Sequence, residues 1–138
     1  MKKHFLFIAI FLAACQHKAP KVAVSIDKSQ GAVKVTGIAP EILYTIKADS
    51  FNINTWQNLF PVSVMPADTE MKNYQRPMAG KYKVSDKDIS FIPDTPFAAG
   101  KTYFARYYIY NDEVNRLQLL QQKNMPGTPT YTELIFKY

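Results

Sequence analysis

A single cysteine, two histidines and eleven carboxylates are the side chains of this 138-residue chain most able to carry chemistry. Their placement is restrictive. His4 and His17 both precede the stretch that reads as folded, and the lone thiol, Cys15, lies between them. From Lys21 onward there is neither His nor Cys, which removes Ser-His-Asp and Cys-His nucleophile systems and the ordinary zinc sites. Asp86, Asp88 and Asp94 cluster near one hairpin and corner and could offer oxygens to calcium. A calcium site takes about six to eight oxygens, however, and Lys87 is interposed. These three read better as turn residues bonding their own backbone. A glycosidase pair drawn from Asp112, Glu113 or Glu133 has nothing to fix its separation. No catalytic residue, metal or cofactor is expected, and the chain does not read as an enzyme.

Cys15 has the clearest context. Met1-Lys2-Lys3-His4 is followed by ten uncharged residues, Phe5 to Ala14, with small residues just before the cysteine. A basic start, a short apolar run and small residues before a cut site are the parts of a secretory signal. Ten residues are too few for a spanning helix, which needs roughly 20. Leu12-Ala13-Ala14-Cys15 resembles the lipobox of bacterial lipoproteins. That resemblance implies cleavage before Cys15, a diacylglycerol on its thiol and an acylated amino terminus, so that membrane lipid is the first partner. Gln16 is not the Asp that holds such proteins in the inner membrane of enteric bacteria, which points to the outer membrane. The missing acidic tract after the cysteine favours the periplasmic side. Residues 1–14 are then a signal peptide, 15–20 a lipidated tether, and 21–138 the domain.

Removing residues 1–14 from 138 leaves 124, one domain on a prior of roughly 100–200 residues. Removing Lys2 and Lys3 from the net +6 leaves +4, spread from Lys18 to Lys137 without a run. Nucleic-acid binders cluster such charge on one face, so no nucleic-acid partner is expected. Nine Tyr and nine Phe, with many Val, Ile and Thr, are β-rich vocabulary. Nine prolines argue against long helices. The class expected is all-β.

Strands are predicted at Lys21–Asp27, Ala32–Thr36 and Glu41–Ala48, the last with Ile42, Tyr44, Ile46 and Ala48 on one face. Phe51 to Phe60 is mixed and assigned no element, whereas Pro61 to Pro66 alternates as a short strand. Residues 66–78 read as a long polar loop containing at most a helical turn. Gly80–Ser85 and Ile89–Pro93 form a hairpin, Asp94–Gly100 a Pro/Gly corner, Lys101–Asn111 a long strand, and Thr130–Tyr138 a final one. In residues 113–123, Val114, Leu117 and Leu120 have helical spacing while Leu117 and Leu119 have strand spacing, so a short helix and a strand both stay open. About seven strands suggest a sandwich or small barrel.

Ile89-Ser90-Phe91-Ile92-Pro93, Pro96-Phe97 and Gly100-Lys101-Thr102-Tyr103 resemble bacterial Ig-like domains of the SbsA type. Over these residues Pro93 and Pro96 stiffen the crossing, Gly100 frees the turn, and Tyr103 can plug the corner with its hydroxyl on backbone. The resemblance implies an Ig-like β-sandwich that spaces or presents something on a cell envelope. The candidate binding surface is aromatic: Phe104, Arg106, Tyr108 and Tyr110 share one face of their strand, with Trp56 as a further ring. Burial of that strand on both faces, or cover from residues 113–129, is the competing reading. The function expected is a non-catalytic structural or protein-interaction module bound to another envelope protein, the alternative being a carbohydrate-binding accessory protein that offers a glycan these rings.

Overall fold

Period-two alternation becomes strand almost everywhere it is sustained. The computed structural model of the chain describes residues 21–109 and 130–138. Among the described residues there are seven strands: β1 (Ala23–Asp27), β2 (Ala32–Thr36), β3 (Val62–Val64), β4 (Gly80–Val84), β5 (Asp88–Pro93), β6 (Thr102–Tyr108) and β7 (Tyr131–Lys137). They form two sheets, ordered β1-β2-β5-β4 and β3-β6-β7. Every pairing is antiparallel. Residues 113–123 lie outside the described residues, as do Asp112 and Glu113.

The expectation of an all-β chain is corrected by two helices in the β2–β3 connection, α1 (Pro40–Asp49) and α2 (Ile53–Leu59). Glu41–Ala48 is therefore helix, not strand. Pro40 at the first turn brings a fixed φ and needs no donor there. Ile42, Leu43 and Ile46 make the inward stripe, while Tyr44, a member of the supposed strand face, is 77% exposed. Glu41 and Lys47 suit the dipole at their respective ends. In α2, the Asn52 side chain accepts from the Thr55 backbone N–H at 3.0 Å, capping the helix. Trp56, Leu59 and Phe60 then point inward. A 3-10 helix, Thr69–Tyr74, about two turns at three residues per turn, stands within the polar loop where one turn at most was expected.

One core fills the space between the sheets. Val33 and Val35 of β2 and Ile89 and Phe91 of β5 meet Val62 of β3 and Ala105 and Tyr107 of β6. The helices close the side where β3 and β4 are edges, α1 packing on β4 and α2 on β6. Trp56 lies flat on Tyr82 of β4, with centroids 4.9 Å apart and planes within 4°. The Tyr82 hydroxyl donates to the Phe60 carbonyl at 2.9 Å, and burial pushes its pKa well above the usual phenol value. Gly80 is required here, because a Cβ would sit against the Phe91 ring and the Ile92 carbonyl.

The β5–β6 corner is built by backbone geometry. Lys101 N–H donates to the Ala98 carbonyl at 3.2 Å across a turn whose third residue, Gly100, has φ +79°. That is a type II turn. Gly100 N–H also reaches the Tyr138 carbonyl (2.7 Å), while Tyr138 N–H reaches the Lys101 carbonyl (3.1 Å). Two residues thus face one, as in a bulge opened by glycine. Tyr103 plugs the corner as its sequence context suggested: its hydroxyl accepts from Ala98 N–H at 2.8 Å. Phe97 packs edge-on against Tyr103 and Phe136. Tyr103→Phe keeps this ring packing and loses only the hydroxyl, so urea unfolding is expected to show a loss of about 1 kcal/mol. An unchanged midpoint would mean that the corner does not depend on that bond.

Candidate functional site

The two faces of β6 have different fates. Tyr103, Ala105 and Tyr107 line the core, and Phe104, Arg106 and Tyr108 take the outer face. Opposite them in register, β7 presents Ile135, Glu133 and Tyr131. Arg106 and Glu133 are cross-strand neighbours, with Nε 2.5 Å from Oε2. Lys72 of the 3-10 helix reaches the other carboxylate oxygen, also at 2.5 Å. Arg106 Nη1 donates to Asn73 Oδ1 at 2.7 Å. The polar loop is thereby fastened across the outer face of the sheet.

Phe104 lies beneath this layer. Lys72 Nζ stands 5.1 Å and the Arg106 guanidinium 5.3 Å from its ring centre, and only 4% of the residue is exposed. Arg106 also stands 4.9 Å from the Tyr131 ring, which meets Tyr108 edge-on at 5.7 Å and 65°. Cation–ring contacts of this kind are worth about 0.5–2 kcal/mol, more when water is excluded.

Burial alone would push the Glu133 carboxyl up, but hydrogen bonds from Lys72 and Arg106 outweigh it and hold the pKa below the usual value. Desolvation opposes the charge on Arg106 too, and there it is outweighed only by the hydrogen bonds to Glu133 and Tyr108 together with the attraction of Glu133 and Tyr131. A glycosidase acid needs a raised pKa, so Glu133 is set for a permanent negative charge instead. The β1–β2 hairpin holds a second such carboxylate. Asp27 accepts from Lys34 (2.7 Å) and from the Ser29 hydroxyl (2.6 Å). These bonds lower its pKa from 3.8 to about 2.

The rings expected to form one surface do not come together. Trp56 is in the core against Tyr82. Phe104 is covered by Lys72 of the 3-10 helix and by Arg106, while Arg106 is engaged and Tyr108 is half-buried; residues 113–129, the cover the sequence offered, lie outside the described residues. Cys15 and Tyr110 lie outside the described residues. Asp86 pairs with Lys47 at 3.4 Å, and Asp88 accepts from the Ser85 hydroxyl at 2.8 Å within their turn. Among the described residues no three of His, Cys, Asp and Glu gather as a metal site would require. The alternation in β6 and β7 put Arg106 and Glu133 each on a definite strand face, but their pairing needed the register, and nothing local marks Lys72, 61 residues from Glu133. The chain matches no protein-family model, and neither the curated proteins nor the solved structures return a significant match.

Glu133→Gln leaves two cations facing each other over Phe104. Its expected cost is about 1–2 kcal/mol in urea unfolding, between an exposed pair and an enclosed one. Acid acts in the same direction. Asp27 and Glu133 have folded pKa values below their unfolded ones, so the unfolded chain holds more protons as pH falls through the carboxylate range. Their contribution is complete above about pH 5 and drains away toward about pH 2. Asp27→Asn should fall less steeply over that window in a pH series of urea midpoints. An equal slope would show that Asp27 is not an acid-sensitive group.

Proposed function

We propose that the chain is a lipid-anchored envelope lipoprotein whose folded part is an Ig-like sandwich acting as a structural or protein-interaction module. The observation that carries the fold is Tyr103. In constant-type Ig domains the sheets are ABED and CFG, and a tyrosine near the start of the sixth strand bonds its hydroxyl to backbone just upstream. Here the order is β1-β2-β5-β4 against β3-β6-β7, and Tyr103 at the start of β6 bonds Ala98. Ala105, two residues on and fully buried, stands where antibody domains have a disulfide cysteine. The helices between β2 and β3 are an addition to that plan, and Trp56 reaches the core from α2.

Leu12-Ala13-Ala14-Cys15 supports the anchor. Acylation at both the thiol and the amino terminus gives more than one chain, and membrane binding is stable only then. Gln16 supports the outer membrane, and the lack of an acidic tract after Cys15 supports the periplasmic side. The interaction reading is preferred to a carbohydrate platform because Tyr108 and Tyr131 cross at 65°, whereas a sugar ring stacks on a flat or coplanar surface.

Cys15→Ser is the direct test. The variant should leave the membrane fraction and lose incorporation of labelled palmitate, with its urea midpoint unchanged. Retention in membranes would show that Cys15 is not the anchor.

A further inference from the structure

Among the described residues β7 is the last strand of its sheet, and its outer edge is unlike those of β3 and β4. Ile109 N–H bonds the Thr130 carbonyl at 2.8 Å and Tyr138 N–H bonds the Lys101 carbonyl at 3.1 Å. These two bonds set the phase: even-numbered residues of β7 turn their backbone groups to β6. Tyr131, Glu133, Ile135 and Lys137 turn theirs outward, and among the described residues no strand pairs with them. The edge of β3 is occupied, since Met78 N–H bonds the Val62 carbonyl at 2.7 Å. Strand β4 has exposed Lys81 and Lys83 with α1 against it, the usual defence of an edge. Strand β1 belongs to the other sheet and, although it contacts β6 and β7, forms no hydrogen-bonded ladder with β7. On β7, by contrast, Ile135 is 54% and Tyr131 44% exposed.

We infer that β7 pairs antiparallel with β7 of a second copy, centred on Ile135. In a two-fold pair, residues whose backbone groups point outward must meet others that do the same, which any residue at the centre satisfies. Glu133 at the centre opposes two carboxylates. Phe136 at the centre sets Ile135 against Lys137 and leaves Glu133 beyond the overlap, so Leu134 and Ile135 remain to be compared. Centring on Leu134 sets each Glu133 against an isoleucine. Centring on Ile135 sets the two isoleucines face to face and puts each Glu133 opposite Lys137 of the other copy. The outer face of the joined sheet then reads Phe104, Ile135, Ile135, Phe104 in one row. The next row reads Arg106, Glu133, Lys137, Thr102, with the anion between cations. The strand is thus complementary to itself in side chains as well as backbone. This goes beyond the interaction-module reading by naming the chain itself as a partner, and it does not depend on the anchor.

Disulfide trapping in the purified full chain tests the register. Opposed hydrogen-bonded residues have Cα atoms about 5.5 Å apart, within the reach of a disulfide at about 4.4–6.8 Å. Ile135→Cys should therefore give a linked dimer under copper–phenanthroline, above the background of the parent, whose only thiol is Cys15. Tyr131→Cys, on the same strand and face, should not, because its symmetry mates are about 27 Å apart at about 3.4 Å per residue. Adding Lys137→Glu to Ile135→Cys sets carboxylates against each other and should lower the dimer yield, whereas adding Lys101→Glu should leave it. Light scattering of the parent should show a dimer that Ile135→Lys converts to monomer. No linkage from Ile135→Cys, equal linkage from Tyr131→Cys, or a parent monomeric at every concentration would each overturn the proposal. Release of Cys15→Ser from membranes reports on the anchor alone.

Discussion

Trp56 lying flat on Tyr82 is the contact on which the closure of the sandwich depends. Two sheets with edges on the same side leave an open seam, and this chain has no second cysteine with which to bolt its sheets together. The β2–β3 connection folds into helices instead and drops an indole against β4. Phe60 follows, meeting Tyr82 on one sheet and Tyr107 on the other. Aromatic pairs add about 0.5–1.5 kcal/mol each beyond their buried area. The tyrosine hydroxyl also returns a hydrogen bond to the Phe60 carbonyl. The seam is therefore sealed by ring contacts that fix direction as well as area, and the bare Gly80 beside them lets β4 sit close to β5.

On the opposite surface of the β3-β6-β7 sheet, charge does work that apolar burial does elsewhere. Phe104 faces outward, where a large ring would ordinarily be wet. Lys72 and Arg106 lay their stems and charges over it, and Glu133 prevents the two cations from repelling each other. The carboxylate loses hydration, but it gains two strong donors and remains ionised. A loop of low apolar content is held in place in this way, and only Met78 at its end packs against the core.

The sequence showed the strands and concealed the helices for one reason. Ile42, Tyr44, Ile46 and Ala48 alternate, yet Ile42 and Ile46 are also one helical turn apart, so the pattern satisfies both periods. Pro40 was the deciding signal, since it pre-sets the first turn of a helix and adds nothing to a strand. Asn52, three residues before Thr55, was the corresponding signal for α2. The Tyr103 corner was readable because every part of it is local: prolines, a glycine and a tyrosine within a dozen residues. The Arg106–Glu133 pairing needed the register of β6 and β7. Lys72 needed the path of a loop, and that path is set by the contacts it makes.

Gly37 carries a mechanical consequence. Its φ is +77°, and its Cα is bare where the Lys21 carbonyl passes. The chain thus enters the sandwich at a fixed point beside the end of β2. A pull arriving from the residues before Lys21 meets β1 at its tip, where Ala23 faces Thr36. Strand β1 has a single paired neighbour, so it can peel away while β2, held by β5 on its other side, stays in place. Among the described elements β1 is therefore the first to meet a load that reaches the sandwich through Lys21, ahead of the strands paired on both sides.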